Sequence, residues 1–476
     1  MLLNRTIKPE PESEITFHLP QIKKFKLENG LQVLFIKKDN LPIIQLSLVA
    51  DAGSKFDPEN MKGLSNLFSM MLDEGAGKLN ALELSDEFDT LGSSFRIRGD
   101  EDSIFLSLLS LKDNIEKSLE LFSSVITNPH FDEKNFPRER RKILTRLLQV
   151  KDSPDEIANI VFAYLVFGKS NPYAFPSIGL EENIAGIDNN DIKRFYEDFF
   201  LPDNSALIIV GNAEKEDIEE KLSKLLTNWK PKQMDLNKFA SKPGNKNLTK
   251  ASLSRLGRAK TGRRAKADKI FLVHKDDAAQ SEIRAGHLSS NRNSKDYFAK
   301  TVLNTIFGGQ FSSRINLNLR ENKGYTYGAS SRFNYHKHDA YFYISTSVST
   351  ENTGDTIKEI LYELNKIREG VTKEELDFAK SSLIRKFPSR FETYMQEASN
   401  LVNMVVYSLP DDYYNTYIDE LKRVSLEDVR KSAVENIHPG NIIFTIVGNR
   451  DKILNQLSDG GFEVVEVDYF GERIVS

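Results

Sequence analysis

Apolar residues in the first half of the chain fall into short runs of two kinds. FKLENGLQVLFI (25–36) has apolar positions on either side of Asn29-Gly30, a dipeptide that reaches positive φ at low cost, and this predicts a hairpin. PIIQLSLVADAGS (42–54) alternates as a strand. Residues 60–73 and 112–127 carry apolar positions at helical spacing. So do residues 192–200, through Ile192, Phe195, Tyr196 and Phe199. Pro202 and Asn204 then punctuate, and Ala206–Val210 is a short apolar run rich in β-branched residues that ends at Gly211, which predicts a buried strand.

That last unit occurs twice. DIKRFYEDFFLPDNSALIIVGN (191–212) lines up without a gap on DVRKSAVENIHPGNIIFTIVGN (428–449), with Asp191 on Asp428, Pro202 on Pro439, Asn204 on Asn441 and Gly211 on Gly448, always 237 residues apart. Two long copies exclude a solenoid and indicate a tandem duplication. Strands and helices in this order predict an α+β fold: two homologous tandem domains, each a mostly antiparallel sheet with helices packed on one face. The expected division is an N-terminal extension at 1–20, a first domain at 21–235, a linker at 236–267 and a second domain at 268–476. The 476 residues are enough for two to four domains with sizeable cores.

Composition narrows the chemistry. There is no cysteine, which excludes disulfides, thiolate metal sites and cysteine nucleophiles. No run of about 18 apolar residues exists to span a membrane. MLLNRTIKPEPESEITF lacks a positive segment followed by an apolar one, so the expected location is cytoplasmic as written, or periplasmic if a signal has been removed. The net charge of −4 hides an asymmetry: Lys242–Lys266 holds nine Lys/Arg and no Asp/Glu, so the remainder stands at −13. That basic segment reads as a solvated interdomain linker, or else as a patch for an anionic partner. No aromatic residue lies among its charges to stack on bases, so no nucleic acid partner is expected.

NGLQVLFIKKDNLPIIQLSLVADAGSKFDPENMKGLSNLFSMMLDEGAG (29–77) resembles the pitrilysin and mitochondrial-processing-peptidase metalloproteases, whose members read NGL-x-V, a strand ending A-G-S, then a helix bearing G-x-x-H-x-x-E-H. The resemblance continues through FDEKNFPRERRKIL (131–144), the repeat above and FGGQFSSRINLNLRENKGYTYG (307–328). In active relatives two histidines four apart on one helix face bind zinc, the glutamate between them activates the bound water, and a distal glutamate completes the site. The resemblance places Asn66 and Met70 at the histidine positions, Ser69 at the general base and Arg146 at the distal ligand. None of these replaces what is lost. Met70 offers a thioether that prefers copper(I), and Ser69 cannot stand in for a carboxylate base. A guanidinium about 4 Å from a divalent ion at an effective dielectric of about 20 costs roughly 8 kcal/mol, against the ~10–16 kcal/mol of a structural zinc site. The four are then ordinary packing and surface residues, and no metal or other cofactor is expected in this chain.

The resemblance also implies what is kept. Arg320 and Tyr327, seven apart, match a pair that relatives place in the C-terminal half to hydrogen-bond substrate near the scissile carbonyl and support the developing oxyanion. The alternative is a helix-capping Arg and a strand-packing Tyr. Gly308 and Gly309 match a Gly-rich turn that would pass close to a bound peptide, or form a helix C-cap. His336 and His338, in His-Lys-His-Asp, fall between two strands and read as an exposed hairpin tip rather than a metal tract. The resemblance therefore implies the non-catalytic subunit of a heterodimeric zinc peptidase. Its partner would be a zinc-bearing paralogue, its substrate an unstructured peptide, and Arg320 and Tyr327 would act in trans. The alternatives are a structural scaffold like the core subunits of the respiratory bc1 complex, or a peptide-binding homodimer without catalysis.

Overall fold

The Asn29-Gly30 turn begins the first sheet: Gly30 takes φ +94°, and β1 (Lys23–Lys26) folds back on β2 (Gln32–Lys37). The Asn29 amide closes the turn by donating to the carbonyls of Leu226 and Trp229 at 3.1 and 3.2 Å. The computed structural model describes residues 14–232 and 269–474, so the predicted basic linker lies outside the described residues, as does most of the N-terminal extension. The first half adds β3 (Ile43–Ala50), a two-residue-strand hairpin of β4 (Gly75–Ala76) and β5 (Leu79–Asn80), β6 (Ser94–Gly99), β7 (Ile104–Leu111) and β8 (Ser205–Gly211). Its helices are α1 (Leu64–Met71), α2 (Ala81–Thr90), α3 (Ile115–Thr127), α4 (Phe136–Asp152), α5 (Pro154–Phe167), α6 (Glu181–Gly186), α7 (Asn189–Phe199) and α8 (Lys215–Leu225).

The main sheet runs β1-β2-β8-β3-β7-β6, with every pairing antiparallel except β2 with β8. The second half repeats this plan with β9 (Lys269–His274), β10 (Gln280–Leu288), β11 (Thr326–Tyr335), β12 (Ala340–Ser349), β13 (Ile443–Gly448) and β14 (Glu463–Glu466), in the order β11-β12-β10-β13-β9-β14, except that its edge strand β14 runs parallel to β9 whereas β1 is antiparallel to β2. Its helices are α9 (Tyr297–Phe307), α10 (Thr353–Glu369), α11 (Lys373–Lys386), α12 (Tyr394–Val406), α13 (Tyr413–Arg423), α14 (Leu426–Asn436) and α15 (Arg450–Asp459). The duplication read from the sequence thus appears as two like sheets, with β8 and β13 as the aligned repeat strands.

The expected α+β halves are present, and each also seals the other. β8 is buried throughout because its two faces serve two cores. Leu207 and Ile209 join the first half's own helices, whereas Ala206, Ile208 and Val210 join a core containing Leu401 and Val402 of α12. Conversely, Ile157, Ala158 and Val161 of α5 pack on Phe271, Val273 and Val447 of the second sheet. The two exchanged helices are counterparts, since the 237-residue repeat puts Ile157 on Tyr394. Polar contacts pin each one. Arg284, only 1% exposed on β10, pairs with Asp155 of α5, and Lys38 pairs with Glu397 of α12 at 2.7 Å. No helix among the described residues is long and apolar enough to cross a membrane.

A third junction corrects the reading of His336 and His338. They do form a hairpin tip, between β11 and β12, but it is inserted into the first half. The His336 side chain is 11% exposed and stacks on Tyr173 with ring centroids 4.4 Å apart. The Lys337 backbone N–H donates to Asp102 at 2.8 Å, and its ammonium reaches Asp51 at 2.7 Å. The fully buried Lys55 ammonium bridges the same two carboxylates. Burial works against ionising Asp51, but Lys55 and Lys337 outweigh it and hold its carboxyl down at about 2. Burial lowers His336 to about 4, with Asp102 opposing and Lys55 reinforcing, so the ring is neutral at pH 7. A polar tip tolerates burial only because each charge there meets a partner.

Candidate functional site

The helix that resembles a zinc helix is α1. Asp57 sets its start by accepting the backbone N–H groups of Gly63 and Ser65 at 2.8 and 2.9 Å, although burial pushes this carboxyl up to about 7. Gly63 takes φ +100°, and a Cβ there would sit 2.5 Å from Ile184 Cδ1 and 2.7 Å from the Ile178 carbonyl. One turn on, the Ser69 hydroxyl is buried and donates to the Asn66 carbonyl at 2.7 Å. Met70 packs against the first core, and Asn66 is half-buried. On α4, Glu139 is 2% exposed and held by Arg138 and Lys142, each at 2.8 Å. Arg146 donates to Glu156 of α5 at 2.6 Å. Its charge is thus matched within the protein, so the misfit to zinc rests on the missing ligands more than on repulsion by this charge. An amide, a thioether, a hydroxyl spent on a backbone carbonyl and an ion-paired Arg do not fit that ion. Among the described residues no cluster of three or more His, Cys, Asp or Glu could hold a metal.

In the second half the helical turn Arg314–Asn316 runs into a π-helical turn, Leu317–Asn322, which carries Arg320. Such turns recur at functional sites because they redirect a side chain. The Arg320 guanidinium lies 4.4 Å over the Phe311 ring, and its Nε approaches Glu321 at 3.5 Å. Tyr327 stands at a register shift in β11 and is 91% exposed. No hydrogen bond joins it to Arg320. Asn316 ties the two segments together, donating to the Phe311 carbonyl at 2.6 Å and accepting from the Ala329 N–H at 3.0 Å. Gly308 and Gly309 cap α9, both N–H groups donating to the Asn304 carbonyl. Gly308 is pressed against β11, where a Cβ would lie 2.4 Å from Ser331 Oγ, whereas Gly309 is exposed.

Among the described residues β6 is an open edge, paired to β7 alone. It packs against α1, and a Cβ on Gly99 would lie 3.7 Å from Ser69 Oγ. The strand thus lies alongside the helix that carries Ser69.

A family model described as "Insulinase (Peptidase family M16)" matches residues 32–166, and one described as "Peptidase M16 inactive domain" matches residues 186–383. The chain belongs to peptidase family M16. It is similar to a Helicobacter pylori protein named "Non-peptidase homolog YmxG", at 24% identity over 89% of this chain and 94% of that one. It is also similar to the "Zinc protease PqqE" of the same organism, at 23% over 86% of this chain and 90% of that one. A solved M16 inactive domain from Pseudomonas fluorescens shares the fold, with a TM-score of 0.78 and 24% identity over 90% of this chain and 98% of that one. With no imidazole or free carboxylate at Asn66, Ser69, Met70 or Arg146, this is a non-catalytic M16 chain.

Two features of this M16 site escaped sequence reasoning. The open edge β6 was not singled out, although SFRIRG has the alternation of a half-buried strand. Phe311, the platform beneath Arg320, carries no signal of its own, because the two meet only through the π-helical turn.

Proposed function

We propose that this chain is the non-catalytic subunit of a two-chain M16 peptidase. It holds an extended peptide by strand addition to β6 and presents Arg320 and Tyr327 to the zinc site of a paralogous, zinc-bearing chain. The observation that carries the reading is the 91% exposure of Tyr327 beside a partly exposed Arg320, in a chain whose own zinc helix has no ligands. A Tyr whose role were packing would be covered. Open edge strands accept extended peptides through backbone hydrogen bonds, and a cation with a neutral donor suits a growing oxyanion. The coexistence of a non-peptidase homologue and a zinc protease in Helicobacter pylori is in keeping with such a pair.

The test is to mix the purified chain with its zinc-bearing paralogue and follow peptide cleavage. The mixture is expected to cleave where neither chain does alone, and Arg320→Ala is expected to suppress that cleavage. Cleavage that ignores the substitution would leave the chain a scaffold without peptide chemistry.

A further inference from the structure

Two elements bordering α1 carry more positive charge than their ion-pair partners among the described residues neutralise. On β6, Phe95 and Ile97 pack toward the first core, so Arg96 and Arg98 share the opposite face. Arg98 is exposed, lying 4.0 Å over the Phe105 ring with Asp100 3.8 Å away, and Arg96 is exposed without an ion pair among the described residues. On α4, Arg138, Arg141, Lys142 and Arg146 recur at helical spacing and, with Thr145 and Gln149, line a shallow open groove of about 320 Å³ along that helix. Among the described residues the carboxylates that reach these six cations are Glu74, Glu139, Glu156 and Asp100, which leaves a surplus of two positive charges there in a chain of net charge −4. α1 packs against both β6 and α4.

We propose that this surface selects its peptide by charge, and that the segment added to β6 is acidic. The inference rests on the reading above that an extended peptide occupies this edge. In such a peptide every second side chain faces the same way, about 6.6–6.8 Å apart, which is the repeat from Arg96 to Arg98. Asp or Glu at alternate positions meets those two guanidiniums, which bind carboxylates through paired N–H donors. Carboxylates elsewhere in the peptide meet the α4 groove, where Arg141 has no ion-pair partner among the described residues.

The test uses the full chain alone, with fluorescence anisotropy of labelled unstructured peptides of equal length whose alternate residues are Glu, Lys or Gln, and an oligo-dT of matching charge. The Glu peptide is expected to bind about tenfold more tightly than the Lys peptide at low salt, with the gap shrinking at high salt. Arg96→Glu with Arg98→Glu removes the gap, and Arg141→Glu narrows it, with melting curves confirming that both variants fold. Equal binding of Glu and Lys peptides, or a gap unchanged in the Arg96/Arg98 variant, overturns the proposal. An oligonucleotide that binds as well as the Glu peptide also overturns it, since the surface would then be a general polyanion site. Because neither a paralogue nor cleavage enters this measurement, its failure is separable from failure of the in-trans role of Arg320.

Discussion

The two ends of β11 invite comparison. At its start, Tyr327 is 91% exposed; just past its end, His336 is 11% exposed and locked into the other half of the chain. The tip looked like the exposed end, being His-Lys-His-Asp, and Tyr327 the one for which burial in a strand was the alternative. Both impressions come from side-chain polarity, which sets the cost of burial but does not reveal whether partners exist. Asp51, Lys55, Asp102 and Tyr173 make the tip's burial affordable. Among the described residues nothing covers Tyr327. One end of the strand is held inside the fold and the other stands exposed.

The largest effect that can break this comparison is at the buried end. Asp102→Ala removes one of the two carboxylates on the buried Lys55 ammonium, the acceptor of the Lys337 backbone N–H and that of the Tyr173 hydroxyl, and is expected to cost about 3–5 kcal/mol in urea unfolding, because a buried ion pair is broken and two further donors lose their acceptor. A cost below about 1 kcal/mol, the value of a surface pair, would mean that the tip does not anchor the halves. At the open end, Arg320→Ala is expected to shift stability by no more than about 0.5 kcal/mol. It should lower cleavage by the mixed chains about a hundredfold, or ~2.7 kcal/mol of transition-state stabilisation. A stability loss larger than the activity loss would make Arg320 a structural residue and dissolve the contrast.

A pH titration sharpens the same point. His336 has its folded-state value lowered to about 4 from the ordinary 6.5, so the stability it contributes is complete above pH 6.5 and is lost as pH falls toward 4. Relative to His336→Asn, the native chain is expected to lose about 2 kcal/mol between pH 8 and pH 5 in unfolding experiments. Asp57 and Glu101, whose buried carboxyls are pushed up to about 7, act in the opposite direction, but equally in both proteins, and cancel in the difference. Flat difference curves would show that the ring is solvated. The smallest effect belongs to Ser69→Ala on α1, which removes only a bond to the helix's own carbonyl and is expected to change stability by less than about 1 kcal/mol.

Much of the fold was legible because its signals are local. The Asn29-Gly30 hairpin, the strand at 43–50, the helices at 64–71 and 115–127 and the strand after Pro202 all lie where periodicity and turn residues predict them. The candidate site was legible only in part. The identities of Asn66, Ser69, Met70 and Arg146 exclude a zinc site by ligand chemistry alone, which needs no coordinates. That Arg146 is satisfied by Glu156, or that Gly308 is clamped against Ser331, requires knowing which segments meet.

The sequence by itself determined the duplication, the elements of each half and the loss of metal ligands, because each depends on residues close together in the chain or on side-chain chemistry. Only the tertiary structure decided that α5 and α12 change places between the halves, that a charged hairpin tip is buried, and that Tyr327 and β6 are left open. Those outcomes depend on whether a surface more than a hundred residues away supplies the complementary apolar face or counter-charge, and no local pattern encodes that.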